Sequence, residues 1–227
     1  MHILAIDTAT ESCGVALWTN GRLAVELAVH HGQAHARYLM EAVQAGLQLG
    51  GITLAQVDVL AVTRGPGSFT GLRIGISTVK GMALAASKPV VGVSTLRTLA
   101  FQADWGGDLI CPVIDARRRE VYWSLYRRNG SAIEMIEPEQ VAPITSVLAR
   151  INRPCAFIGS GACAYRDELK ANRYACLPAA EERHLLRAGV VAQLAAECFR
   201  NGCTDDLESF GPVYLRPSDA EKNRRCS

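Results

Sequence analysis

The sequence predicts an α/β protein in which a βββα-type unit is used twice, the second copy degenerate. Three observations carry this. Apolar runs of strand length alternate with helical-period segments in the order βββαβαβα through the first half. Asn-Gly pairs at 20–21 and 129–130, each between alternating runs, are hairpin signals. An apolar run ends in Asp7 and another in Asp115, each leading into one of those hairpins.

In order, HILAID at 2–7 is a short apolar run typical of a buried strand. CGVALWT and LAVELAV alternate on either side of Asn20-Gly21 and form an antiparallel pair. A helix is expected over about 33–49, a strand in VDVLAVTRG, and a second helix over roughly 69–86. KPVVGVS is a further strand, and TLRTLAF opens a helix. The polar, glycine-bearing QADWGGDL at 102–109 is the expected boundary. It separates an N-terminal domain, 1–104, from a smaller C-terminal domain, 105–227. Beyond it, LICPVID, EVYWSLYRR and SAIEMIEP repeat the three-strand opening. A helix near 138–150, a strand in PCAFIGSG, and helices near 164–171 and 183–201 complete the pattern.

The 227 residues and net charge of +2 allow a sizeable core and argue against a broad electrostatic surface for nucleic acid. The opening MHILAIDTATE lacks the basic start of a secretory signal, and Asp7 interrupts its apolar run. No apolar stretch reaches membrane-spanning length. The expected setting is the cytoplasm, with no membrane contact. Eight cysteines, at 13, 111, 155, 163, 176, 198, 203 and 226, show no CxxC or zinc-ribbon spacing and read as mostly buried or incidental thiols.

The segment TRGPGSFTGLRIG, 63–75, poses the functional question. Its glycine spacing fits neither a Walker loop nor the dinucleotide fingerprint. It follows a strand and opens a helix, so its N–H groups, with Ser68 or Thr70 as N-cap, suit an anion. Equally, the glycines suit a tight connection that brings the helix close to the sheet. The helix behind it has two apolar stripes, Leu72, Ile76, Val79, Ala83 and Gly75, Thr78, Met82, Ala85. The preceding helix carries Leu39, Val43, Leu47, with Ala36 and Met40 beginning a second stripe. One face covers the sheet; the other faces a partner protein or the neighbouring helix.

In HHGQAH, His31 and His35 lie four apart, but Gly32 stands where a metalloprotease helix carries its glutamate. They read as solvated histidines, and no metal is expected. In DARRRE, Arg117, Arg118 and Arg119 follow Asp115 where a phosphate hairpin wants glycines. They suit RNA phosphate, an acidic partner, or a solvated tip. Gly159 and Gly161 of FIGSGA suit an adenosine-side turn or an ordinary strand-to-helix turn. No Ser-His-Asp or Cys-His constellation can be argued from spacing, and no catalytic residue is named.

ILAIDTATESCGVAL, TRGPGSFTGLRIGISTVKGMALA, PVVGVSTL, VIDARRREVY and PVYLR together resemble the bacterial TsaB (YeaZ) family over nearly the whole chain. The resemblance implies a two-domain actin-like fold (ASKHA, ribonuclease H-like). It implies a role in making threonylcarbamoyladenosine beside the tRNA anticodon, as a non-catalytic partner of the paralogous transferase TsaD. TsaD transfers the threonylcarbamoyl group, and the small ATPase TsaE joins the complex. It further implies pairing with TsaD, or with a second copy when alone, through the first two helices, with tRNA contacted indirectly. The implied interface candidates are Ala36, Met40, Val43, Leu47, Leu72, Gly75, Ile76, Val79 and Met82. TsaD carries an Asn-His-x-x-x-His metal pair after its PLxxV strand; here PVVGV leads into Ser94, Thr95 and, later, Leu99. What remains of a nucleotide site is vestigial: Asp7, Thr8, Thr10, Gly65, Gly67, Ser68, Asp115, Gly159 and Gly161. No tightly bound cofactor is expected, with ATP acting at the level of the complex. The alternative is a stand-alone ATPase or phosphotransferase in which Asp7 and Asp115 position Mg²⁺. A metallopeptidase is a third reading. The tail SDAEKNRRCS is polar and receives no role.

Overall fold

The computed structural model describes residues 1–30, 35–178 and 180–216. The chain forms two compact units: Met1–Gln102 with Leu185–Pro212, and Ala103–His184 with the chain from Val213.

In the first unit β1 (His2–Asp7), β2 (Ser12–Thr19), β3 (Arg22–His30), α1 (His35–Leu49), β4 (Val59–Gly65), α2 (Phe69–Ala86), β5 (Val90–Ser94) and α3 (Thr95–Gln102) follow the expected order. The sheet runs β3-β2-β1-β4-β5. β2 is antiparallel to β1 and β3, while β4 is parallel to β1 and β5. Asn20 and Gly21 have φ of 50° and 84°, the left-handed pair that a tight hairpin needs.

Leu4, Ile6, Cys13, Val15, Leu60 and Val62 pack on one face against Leu39 and Val43 of α1 and Ile76 and Val79 of α2. Each buried aliphatic side chain contributes roughly 2 kcal/mol relative to exposure. By alternation Ile3 and Ala5, also fully buried, point to the opposite face. There α7 (Ala188–Arg200) lies chiefly on β1 and β2, beside α3. The alternation of β2 suggests a one-sided strand, but cover on both faces buries Ser12–Leu17 throughout.

The second unit contains β6 (Leu109–Asp115), β7 (Glu120–Asn129), β8 (Ala132–Pro143), α4 (Ile144–Leu148), β9 (Cys155–Ile158), α5 (Ser160–Ala164), α6 (Arg166–Lys170) and β10 (Ala175–Cys176). Its sheet runs β10-β9-β6-β7-β8. In chain order this is the arrangement of the first unit, with the same parallel and antiparallel pairings. The duplication read from the hairpins is therefore present, and the fold is the two-domain actin-like, ribonuclease H-like one. The second copy has the shorter helices.

Three expectations are corrected. The helix expected near 138–150 is only Ile144–Leu148, because β8 continues to Pro143. A residue before proline is held out of the α region, so the helix starts only after that proline, which serves as its N-cap. The helix near 164–171 is two short segments, α5 and α6. The helix near 183–201 is a 3₁₀ turn, Glu181–His184, in the second unit, and then α7 in the first. A single cut between 104 and 105 thus misplaces α7, whose small apolar face (Ala188, Ala192, Ala195, Ala196) covers the otherwise bare back of β1 and β2.

Glu26 of β3 anchors the start of this returning helix. Its Oε1 accepts the Gly189 N–H at 2.7 Å, and its Oε2 pairs with the Arg187 guanidinium at 2.5 Å. Glu26→Ala removes both and is expected to lower stability by about 1–2 kcal/mol. Urea unfolding should show this, with the exposed-site control Arg22→Ala staying within about 0.5 kcal/mol of wild type.

Candidate functional site

The first candidate site lies where β1 ends and α2 begins. Asp7 is fully buried. Its Oδ1 accepts the Thr63 hydroxyl at 2.7 Å and the Ala9 N–H at 3.1 Å. Its Oδ2 has no hydrogen-bond partner among the described residues. Burial pushes the Asp7 pKa up to about 6, against the lowering effect of those two bonds.

The glycine loop sits directly on this strand end. A Cβ on Gly67 would lie 2.3 Å from the Ala9 carbonyl oxygen, one on Gly71 2.0 Å from that of Thr8, and one on Gly75 2.3 Å from Thr8 Oγ1. Glycines four apart therefore let the first turns of α2 touch residues 8 and 9. Polar bonds close the contact. The Thr8 hydroxyl donates to the Gly71 carbonyl at 2.8 Å, and the Ser68 N–H donates to the Ala9 carbonyl at 2.7 Å. Ser68 is the N-cap, accepting the Gly71 N–H at 3.2 Å. Gly65, with φ 118°, makes the turn into the loop. Thr10 shares a 3.0 Å hydrogen bond with Ser12. The loop is a tight connection, with the Ser68, Gly71 and Leu72 N–H groups bonded within the protein.

The second candidate site, at the end of β6, is built differently. Asp115 is half-buried; its Oδ1 accepts the Arg117 N–H at 3.0 Å and the Tyr165 hydroxyl at 3.3 Å. Gly159 and Gly161 open α5. The Gly159 N–H donates to Nδ1 of buried His184 at 3.3 Å, and burial lowers that imidazole's pKa. A Cβ on Gly161 would come within 3.1 Å of the Val113 carbonyl, so this too is a packing glycine. Sequence reasoning missed His184, whose only signal is position in a charged turn.

Arg117, Arg118 and Arg119 all adopt left-handed backbone, with φ of 63°, 57° and 62°. Such a conformation costs a non-glycine residue about 1 kcal/mol or more. The tip is braced from below. Ala116 N–H donates to the Glu120 carbonyl at 2.9 Å and Glu120 N–H to that of Arg117 at 3.1 Å. Arg216 donates to the Ala116 carbonyl at 3.1 Å and pairs with the Glu120 carboxylate.

The interface candidates are mostly core. Val43, Leu72, Gly75, Ile76, Val79 and Met82 are buried, Leu47 is half-buried, and only Met40, at 54 % exposure, faces solvent. The two stripes of α2 form one wide arc on the sheet and α1, and the spacing could not separate core from interface because both stripes are small and apolar. The outer side of the two helices instead presents Met40, Gln44, Gln48 and Leu49 on α1 and Arg73, Ser77, Gly81 and Leu84 on α2. Leu49 and Leu84 are 68 % and 69 % exposed. His31 lies outside the described residues, as do the side chains of His35 and Ala36 and the tail from 217, with Cys226.

Among the described residues no three His, Cys, Asp or Glu side chains form a group able to hold a metal. The seven described cysteines are unpaired. Cys13, Cys111 and Cys155 are buried, Cys176 and Cys198 half-buried, and Cys163 and Cys203 exposed. Burial raises the Cys13 thiol to about 11 and Cys155 to about 12, which leaves them unreactive.

Two tests follow from this geometry. Asp7 binds its proton more tightly folded than unfolded, so its share of stability is complete below about pH 4 and is lost as pH rises through about 6. Asp7→Asn cannot ionise; its stability relative to wild type should rise between those pH values by roughly 3 kcal/mol, read by denaturant unfolding across pH. Gly75→Glu and Met82→Glu put a charge into the core and should leave the chain unfolded, by circular dichroism, where Leu84→Glu folds normally.

Comparison with known proteins agrees with this architecture. Residues 30–224 match the family model described as TsaD: tRNA N6-adenosine threonylcarbamoyltransferase. The tRNA threonylcarbamoyladenosine biosynthesis protein TsaB of Escherichia coli K12 is 37 % identical, over 98 % of this chain and 97 % of the relative. That of Bacillus subtilis 168 is 32 % identical, over 97 % and 96 %. The solved structure of YeaZ from Pseudomonas aeruginosa superposes with a TM-score of 0.78 at 33 % identity, covering 94 % of this chain and 100 % of that one. With 32–37 % identity over nearly the whole chain and the same fold as YeaZ, the protein belongs to the TsaB (YeaZ) family.

Proposed function

We propose that this protein serves tRNA threonylcarbamoyladenosine biosynthesis as a non-catalytic partner of the transferase TsaD. The observation that carries the reading is the 32–37 % identity, over nearly the whole chain, to relatives named for that pathway. The geometry supports the non-catalytic part. At the first strand end the loop donors Ser68, Gly71 and Leu72 are bonded within the protein, and Asp7 is sealed from solvent. At the second, three arginines occupy the hairpin tip where backbone would approach a phosphate. In this reading nucleotide is not held tightly by the chain alone, and ATP acts on the assembled complex, which TsaE joins in the cytoplasm.

The partner surface is assigned to the outer side of α1 and α2. Met40, Leu49 and Leu84 supply exposed apolar contacts. Gly81, around which an added Cβ would meet nothing, lets a partner helix approach closely. The same face would join two copies when TsaD is absent.

Light scattering after size exclusion, on the chain alone and with its cognate TsaD, tests this. The expected result is a mixed complex that replaces a self-dimer. Met40→Glu with Leu84→Glu should weaken association by about 2–3 kcal/mol or more while the fold is retained. Unchanged association would remove the assigned face. ATP turnover by the isolated chain, abolished by Asp7→Asn, would replace the non-catalytic reading with an ATPase.

A further inference from the structure

We propose that Cys198 and Cys203 are a thiol–disulfide pair, oxidised by small-molecule disulfides of the glutathione class, whose closure staples the end of α7 to the segment that covers the edge of the first sheet. The backbone brings the two residues together. The Cys203 N–H donates to the Cys198 carbonyl at 2.9 Å and the Gly202 N–H to the Phe199 carbonyl at 3.0 Å, with Gly202 left-handed at φ 74°. These two bonds make the Schellman ending of a helix, in which the side chains at the ends of the longer bond are neighbours. Standard backbone dimensions across the 2.9 Å bond keep the two Cα atoms within about 6.8 Å, the outer reach of a disulfide.

The two thiols differ in a way that orders the chemistry. Cys203 is exposed, and its thiol rests on the Asn201 carbonyl at 3.8 Å, a weak bond. Cys198 is half-buried near the negative end of α7. Burial raises its pKa, Arg97 opposes the rise, and Cys203 adds to it. Cys203 therefore acts first. Its thiolate attacks one sulfur of the oxidant, breaking that S–S bond and expelling one thiolate. Cys198 then gives its proton to solvent and attacks the Cys203 sulfur, expelling the second thiolate. Two protein thiols are oxidised, and one disulfide is reduced to two thiols.

The segment that Cys203 opens is tied to the rest of the first unit. The Asp205 N–H donates to the Val90 carbonyl at 2.9 Å, and its carboxylate accepts the Gly92 N–H at 2.7 Å and pairs with Arg64 at 3.1 Å. Lys80 donates to the Phe210 carbonyl at 3.0 Å, and the Phe210 ring is buried over Gly92. β5 is the last strand of its sheet, so this segment occupies an otherwise open edge. A Cys198–Cys203 bond fixes the segment's exit from α7 and restricts the unfolded chain.

The test incubates the full chain with excess oxidised glutathione, alkylates the remaining thiols, and reads tryptic peptides by mass spectrometry. Trypsin cuts after Arg200, between the two cysteines. The peptide ending at Arg200 and the one starting at Asn201 should stay joined, and should separate when dithiothreitol is added. In Cys198→Ser, Cys203 should instead keep a bound glutathione. The joined form should melt about 4–8 °C above the reduced chain, a rise absent from Cys198→Ser and Cys203→Ser. Peptides that stay separate, glutathione left on Cys203 of the wild type, or Cys203 joined to another cysteine would overturn the pair. A joined form that melts no higher than the reduced chain would overturn the staple.

Discussion

The seating of the first turns of α2 on the end of β1 is the contact on which the first unit depends. It requires the absence of side chains at Gly67, Gly71 and Gly75, because a single methyl at Gly71 would meet the Thr8 carbonyl at 2.0 Å. Once seated, α2 is directed along β4, and Ile76 and Val79 fall into the layer formed with Leu4, Ile6 and Leu39. The same contact turns several polar groups of the loop inward. Thr8 is turned to the Gly71 carbonyl, and Ser68 and Gly71 bond inward. Tight packing and the inward turn of these polar groups are two consequences of one steric fact.

Asp7 shows what this closure does to a charged residue. Two hydrogen bonds favour its carboxylate, but full burial outweighs them. A site open to water would leave such a group ionised and available to a ligand; here it is a source of instability at neutral pH. An aspartate at a strand end is therefore poor evidence of chemistry unless solvent or a cation can reach it.

Local signals explain which parts of the architecture were legible. Asn20-Gly21 and Asn129-Gly130 specify hairpins through backbone preference alone, and α2 has the expected bounds because Ser68 caps it and Ser87, at φ 51°, ends it. What sequence periodicity does not encode is which distant surface an element covers. The apolar face of α7 is plain in the sequence, yet its place on β1 and β2 depends on contacts nearly the whole chain apart. The stripes of α2 have the same difficulty: Gly75 reads as interface and is buried against Thr8, while Leu84, on the outer side, belongs to neither stripe. In the second unit the cause is local. Pro143 delays α4, and Pro138 is tolerated in β8 because that strand is at the sheet edge.

The return of α7 gives the molecule a direction of assembly. The first unit leaves the chain at Gln102 and is resumed only at Leu185. During synthesis at about 5–20 residues per second, the β1–β5 sheet emerges early with the back of Ile3 and Ala5 uncovered. It waits for the whole intervening unit to be made before its last layer arrives. For those seconds the nascent N-terminal half is an apolar sheet face open to chaperones or to other chains. The vulnerable state of this protein is thus the half-made one, and a release from the ribosome near the inter-unit boundary would yield a fragment that cannot finish its own core.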